Sequence, residues 1–250
     1  MHPALLQDLL YRRSKVSSLL DSDLLGAGLD LTGILGGSIL GVNLAGDIHN
    51  ELVDFSRARE LLHPQYTAEE AKAVLREIGV PVARIEKMPA DVRGAGGMAV
   101  LATGTEGPRI HMERASLPTL LHEGGHLRAH ELSPLSRASL RVAKLPGLAL
   151  HTGGQFVAHA PGGSAAAGIL LGVVPNVGEV TNEVLADVHA MRMLRNARRG
   201  GTELMPLLEY AKHRAPSLLT YVSRAALPVA SIGGGVMGVK LLRKLLGRDT

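Results

Sequence analysis

The sequence predicts an α+β fold that is mainly helical, with a small β-sheet and Gly-rich apolar helical segments. Three observations carry that prediction. Long stretches place apolar residues at helical spacing. The chain has 30 glycines in 250 residues, and many lie inside apolar runs, as close helix packing requires. One central stretch, from Val82 to about residue 113, changes to short apolar runs separated by Gly and Pro turns, the pattern of strands.

The elements follow in order. Residues 4–20 read as an amphipathic helix, with Leu5, Leu6, Leu9 and Leu10 at helical spacing. Residues 24–46, LLGAGLDLTGILGGSILGVNLAG, carry Asp30 as their only charge. That run is long enough to cross a bilayer, and Gly33, Gly37 and Gly41 form a small-xxx-small stripe suited to tight helix pairing. A Gly-rich hairpin buried in a soluble core accounts for the same residues, because glycine adds little to the transfer energy. Residues 48–62 read as a polar-faced helix. Thr67 to Glu70 is a capping box that opens a helix to about Ile78, which Gly79 and Pro81 stop. Strands are expected at 98–103 and 109–113, joined by the GTEGP turn.

The next helix is capped by Ser116 and has Pro118 in its first turn. A short basic helix follows Pro134, and then a Gly-rich loop carrying His151 and His159. The apolar run 165–174 suits half of a re-entrant hairpin or a buried helix. Further helices are expected over 179–199, where Arg192, Arg195, Arg198 and Arg199 make a surface face and His189 is exposed, and over 203–213. The tail is apolar and Gly-rich, then basic. It suits a membrane-seeking terminus or a helix packed on a neighbouring subunit. Three regions result: 1–66, 67–199 and 200–250.

Composition excludes several classes of function. There is no cysteine, so disulfides and thiolate metal ligands are out. The net charge is +4 but aromatics are only 2%, which leaves little to stack on bases. Nucleic acid is therefore not an expected partner, and an anionic membrane surface is the better match. The first twenty residues lack the basic start and continuous apolar core of a secretory signal.

The chemistry concentrates at His122-Glu123-Gly124-Gly125-His126, an H-E-x-x-H pattern. Residues four apart on a helix lie one above the other, so both imidazoles can bind one metal ion while Glu123 reaches a water on it. A solvated polar helix face is the plainer reading. The two glycines argue against it, since each costs about 1 kcal/mol relative to Ala in a helix. They suit a close approach by another backbone, such as an edge strand or a substrate. His130 continues the series, but it lies about 12 Å along the axis from His122 and is out of reach of the same ion. Glu183 is the better third ligand, with Asp187 one turn on to accept the N–H of a ligand histidine. Glu179 is an alternative ligand, or a solvated helix charge.

His122-Glu123-x-x-His126 followed by Asn182-Glu183-x-x-Ala186-Asp187 resembles the gluzincin metallopeptidases, both thermolysin-like enzymes and HtpX-like membrane peptidases. The resemblance covers about residues 98–199. It implies a zincin-like core in which His122, His126 and Glu183 hold Zn²⁺. In that family Glu123 would be the general base and Asp187 would orient a ligand histidine. The strand at Arg109–Glu113 would be the edge that pairs with an extended peptide. A Tyr, His or Arg would stabilise the oxyanion; Tyr210, His213 and Tyr221 are the candidates. The expected function is a zinc-dependent, membrane-associated endopeptidase acting on polypeptides. The rival is a non-enzymatic structural or membrane-penetrating assembly component, for example of a virus particle, that keeps the metal site. A homo-oligomer or larger assembly fits either.

Overall fold

No proline interrupts the chain between Pro3 and Pro64, and over that stretch it forms one helix, α1 (Pro3–Glu60). The structure is a computed structural model. It describes residues 3–80, 84–86, 97–100, 108–112, 115–160, 162–202 and 204–245, with side chains from residue 30 onward except at residues 84, 97 and 98. The helix α1 joins the three segments that the sequence separates at 4–20, 24–46 and 48–62. The glycines do not break it because a partner helix supports them. That partner is α7 (Leu207–Leu245), which likewise fuses the expected 203–213 helix with the apolar tail and runs through Pro216 and Pro228.

The two helices pack antiparallel. A Cβ on Gly37 would overlap the Gly234 carbonyl, one on Gly41 the Ala230 carbonyl, and one on Gly238 the Gly33 carbonyl. The predicted small-residue stripe is thus the line along which the backbones touch. Polar links continue the pairing along both helices. Arg243 Nε donates to Asp30 Oδ1 at 3.0 Å, Ser38 Oγ to the Ser231 carbonyl at 2.8 Å, and His213 Nε2 lies 3.1 Å from Glu60 Oε2.

A second helical pair is α5 (Gly147–His159) and α6 (Ala165–Arg199). The sequence suggested a loop carrying His151 and His159; both sit on α5 instead. Its glycines are tolerated because Gly154 meets the Gly168 carbonyl. The run 165–174 is the first part of α6, which continues through Pro175 without ending.

Between these pairs lies the mixed region. Helix α2 (Ala68–Glu77) has the predicted capping box, with Thr67 N–H donating to Glu70 Oε2 at 2.8 Å, and Gly79 follows at φ +74°. Strands β2 (Arg84–Glu86), β3 (Gly97–Val100) and β4 (Arg109–Met112) form a sheet in the order β2-β4-β3. The β3/β4 pair is antiparallel, with Gly97 opposite Met112. The GTEGP turn lies outside the described residues, apart from Pro108. Two short strands not foreseen, β1 (Gln65–Tyr66) and β5 (Ala115–Ser116), pair with each other.

One expectation is corrected here. The strand at 109–113 was to be the peptide-pairing edge, but β4 is the central strand, hydrogen-bonded on both sides. The outer strand next to the H-E-x-x-H helix is β3. Helices α3 (Leu117–Leu132) and α4 (Pro134–Ala143) complete the fold, and Ser116 caps α3 by accepting from Thr119 N–H. The core gathers Leu75, Val80, Ile110, Leu121, Leu127 and Met193 around α3.

Among the described residues, three helical stretches, Asp30–Glu60, Ala165–Arg199 and Leu207–Leu245, are long and apolar enough to cross a membrane. Their outward faces are apolar, with Leu31, Leu35, Ile39, Leu40, Leu44, Leu170, Val229 and Met237 all exposed. Gly33, Gly37, Gly41, Gly234 and Gly238 instead lie against the partner helix.

Candidate metal centre

Helix α3 is enclosed, and both glycines of H-E-G-G-H are buried. A Cβ on Gly125 would overlap the Ala186 carbonyl, so Gly125 admits the backbone of α6. A Cβ on Gly124 would lie 3.2 Å from Leu75 Cδ2 and 3.3 Å from Val80 Cγ2. The approaching backbone is therefore a helix, not the edge strand or substrate that the sequence suggested.

This contact brings α6 to the two histidines. His126 Nε2 lies 3.1 Å from His122 Nε2. Glu183 Oε2 lies 2.9 Å from His122 Nε2, and Glu183 Oε1 lies 3.3 Å from His126 Nε2. One ligand atom from each residue falls within 4.8 Å of the others, a group that could hold a metal ion. The spacings suit zinc: bonds of about 2.0–2.1 Å in a tetrahedron put neighbouring ligand atoms about 3.3 Å apart. The donors, two imidazoles and a carboxylate, also suit zinc.

The surrounding hydrogen bonds orient these ligands. His122 Nδ1 lies 2.8 Å from Asp187 Oδ1, where its N–H donates. That leaves the Nε2 lone pair for a metal. Asp187 Oδ1 also accepts from the Tyr210 hydroxyl at 2.7 Å and from Arg214 Nε at 3.0 Å. Burial and the Arg214 charge press the His122 pKa down, but its hydrogen bonds to Asp187 and Glu183 prevail and raise it to about 9. His126 Nδ1 faces Asn182 Nδ2 at 3.2 Å, while Asn182 Oδ1 accepts from Ser136 Oγ at 3.1 Å. A half-turn of the amide exchanges the two contacts. His126 Nδ1–H then donates to the amide oxygen and Nε2 is free for a metal.

Glu123 is buried beside β3, and its Oε2 accepts the Ala99 N–H at 2.6 Å. The candidates for the oxyanion role are placed apart. Tyr210 is committed to Asp187. His213 is committed to Glu60, which also accepts from the Ser116 N–H and hydroxyl and from the Thr119 hydroxyl. Tyr221 lies on α7 between Arg214, which reaches Asp187, and Arg224, which reaches Glu179 at 3.0 Å. It is therefore level with Glu183, and within electrostatic reach of Glu183 and Glu123.

Glu179 pairs with Arg224 and stands outside the ligand group. His130 is outside it too. His189, expected to be exposed, is buried at 7% exposure, because it shares the inward face of α6 with Ala186, Ala190 and Met193. Arg192, Arg195, Arg198 and Arg199 are exposed.

Sequence reasoning missed Arg214 and gave Asn182 no role. Arg214 follows Tyr210 by one helical turn, the only signal it offers. Asn182 precedes Glu183, yet its partner Ser136 is 46 residues away.

No protein-family model matches the chain, and no similar curated protein or solved structure was found.

Proposed function

We propose that the protein is a zinc-dependent endopeptidase of gluzincin type, built on a zincin-like core and held in a membrane by its apolar helices. The observation that carries this reading is the arrangement of His122, His126 and Glu183 at tetrahedral spacing, with the Glu123 carboxylate on the same helix. A bound zinc would supply Lewis-acid polarisation of the scissile carbonyl and activation of water.

The chain's own residues do the rest. Asp187 holds the His122 Nδ1 proton and thereby points Nε2 inward. Glu123 accepts a proton from the attacking water as the new C–O bond forms, and delivers it to the amine nitrogen as the C–N bond breaks. Tyr221, level with Glu183, offers its hydroxyl to the carbonyl oxygen as charge develops there. Arg214, fixed through Nε by Asp187 and within electrostatic reach of Glu183, adds a positive charge to the same side. The outer strand β3 is where an extended polypeptide would pair.

A second reading has one specific observation behind it. Glu123 is already engaged by the Ala99 N–H, an arrangement that also suits a rigid, non-hydrolytic metal site in an assembly component. Hydrolysis of an unstructured protein by the zinc-loaded chain separates the two. Turnover that is lost in Glu123→Gln supports the peptidase. Zinc binding without any turnover favours the assembly component.

A further inference from the structure

Four segments of the chain become free of charge at one level of the fold. Residues 31–46 of α1, 145–160 around α5, 165–178 of α6 and 225–239 of α7 contain no Asp, Glu, Lys or Arg. The first charges beyond them, on the side of the candidate metal centre, are Asp47, Lys144, Glu179 and Arg224. Contacts put these four at the same height. Arg224 Nη1 donates to Glu179 Oε1 at 3.0 Å. His49 Nδ1 lies 3.0 Å from Ser223 Oγ, which sets Asp47 beside the same turn of α7. A Cβ on Gly178 would lie 2.6 Å from the Ala143 nitrogen, which sets Lys144 near Glu179. At the opposite end Arg243 pairs with Asp30. At 1.5 Å per residue the uncharged stretch of α1 is about 24 Å long, close to the hydrocarbon core of a bilayer at about 30 Å.

The near level carries an unbalanced positive face on α4. That helix buries Ser136 and Ser139 against α6 and exposes Arg137, Arg141 and Lys144. Spacings of four and three residues put the cations in one stripe. Arg137 Nη1 is held by the His130 and Glu131 carbonyls at 2.8 and 3.1 Å. The Arg141 and Lys144 side chains have no hydrogen-bond or ion-pair partner among the described residues. No Asp or Glu occurs between Glu131 and Glu179 in the sequence. Directly past Lys144 the surface turns apolar, with Leu145, Leu148 and Val177 exposed. Long cationic side chains over an apolar surface suit a boundary where the stem lies in oil and the charge in water.

We propose that the α4 face carrying Arg141 and Lys144 binds the phosphate groups of anionic lipids and sets the depth at which the chain sits in a bilayer. This rests on the membrane reading above. An acidic protein would match the charge, but not the exposed leucines beneath it or the shared level at which four segments become apolar. A lipid supplies both parts: its acyl chains meet Leu145 and Leu148, and its phosphate meets the two cations. Glu183 lies one turn of α6 past Glu179, so the candidate metal centre then stands about 6 Å above the headgroup level.

The test uses the full chain in detergent micelles. Native mass spectrometry counts bound lipid as phosphatidylglycerol or phosphatidylcholine of matched chain length is added. The wild type should prefer phosphatidylglycerol, and Arg141→Gln with Lys144→Gln should lower that preference by about fivefold for each cation removed. Arg192→Gln with Arg195→Gln changes exposed cations about 20 Å farther along α6 and should leave it unchanged. Equal binding of the two lipids by the wild type overturns the proposal, as does a preference that survives the Arg141 and Lys144 substitutions. Capture of soluble polyglutamate in place of the lipid overturns it too, by assigning the face to an acidic partner. Flotation with pure phosphatidylcholine vesicles tests the membrane reading by itself. A chain that stays out of them refutes that reading and the headgroup site with it. A chain that enters them without preferring phosphatidylglycerol refutes the headgroup site alone.

Discussion

At the candidate metal centre, α3, α6 and α7 meet through charged and hydrogen-bonding side chains. Along the α1/α7 pair, the helices meet through glycines. Asp187 alone receives His122, Tyr210 and Arg214 on one oxygen, whereas Gly37 and Gly234 meet with no side chain between them. The two regions solve different problems. A metal centre must hold a few atoms at fixed distances, which takes satisfied buried polar groups. Apolar helix faces gain little from burial against one another when lipid surrounds them, and the backbone-close packing of α1 on α7 suits the membrane setting proposed above. The difference teaches that damage in one region should read out differently from damage in the other.

The largest effect is expected from Gly234→Leu. Its side chain would overlap the Gly37 backbone, a mechanism in the class that costs more than about 4 kcal/mol. The thermal midpoint should fall by roughly 10 °C or more, while the chain that remains folded keeps its zinc. Loss of zinc from the folded fraction would show that the two regions are not separable. Next, Glu123→Gln should lower peptide hydrolysis by about 10²–10⁴-fold with unchanged zinc stoichiometry, checked by turnover and elemental analysis on one preparation.

Asp187→Asn should weaken zinc by about 10–100-fold, measured by chelator competition, and leave the α1/α7 pairing intact. A smaller effect concerns pH. The His122 pKa is raised from 6.5 to about 9 in the metal-free protein. Its contribution to stability is full below about pH 6.5 and is lost as pH rises through about 9. Zinc must displace that proton, so zinc affinity should fall as pH drops below about 9. Titration calorimetry in buffers of different ionisation enthalpy would count the proton released; no proton release at pH 7 would contradict the assignment. Least of all, His130→Ala should leave zinc affinity unchanged.

The local parts of this picture were legible in the sequence. The spacing of His122 and His126, and of Glu183 and Asp187, is fixed by helical geometry, so each pair could be placed on a face without knowing the fold. The capping box at Thr67 and the Ser116 cap were legible for the same reason. What joins the two pairs was not. Gly125 could be seen to admit a backbone, but only the fold shows that the backbone is α6. Arg214 and Tyr210 reach Asp187 from a helix more than twenty residues on, and nothing in their neighbourhood marks them. The glycines of α5 and the prolines inside α6 and α7 read as helix breaks because their support comes from other helices. His189 read as exposed because the inward face of α6 is set by α3, not by its own sequence.

The most direct test is zinc per chain by elemental analysis, on wild type and Glu183→Ala prepared side by side without chelators. The account expects about one zinc in the wild type and a small fraction of that in the variant. No zinc in the wild type, or equal zinc in both, would contradict the ligand set on which the peptidase reading stands.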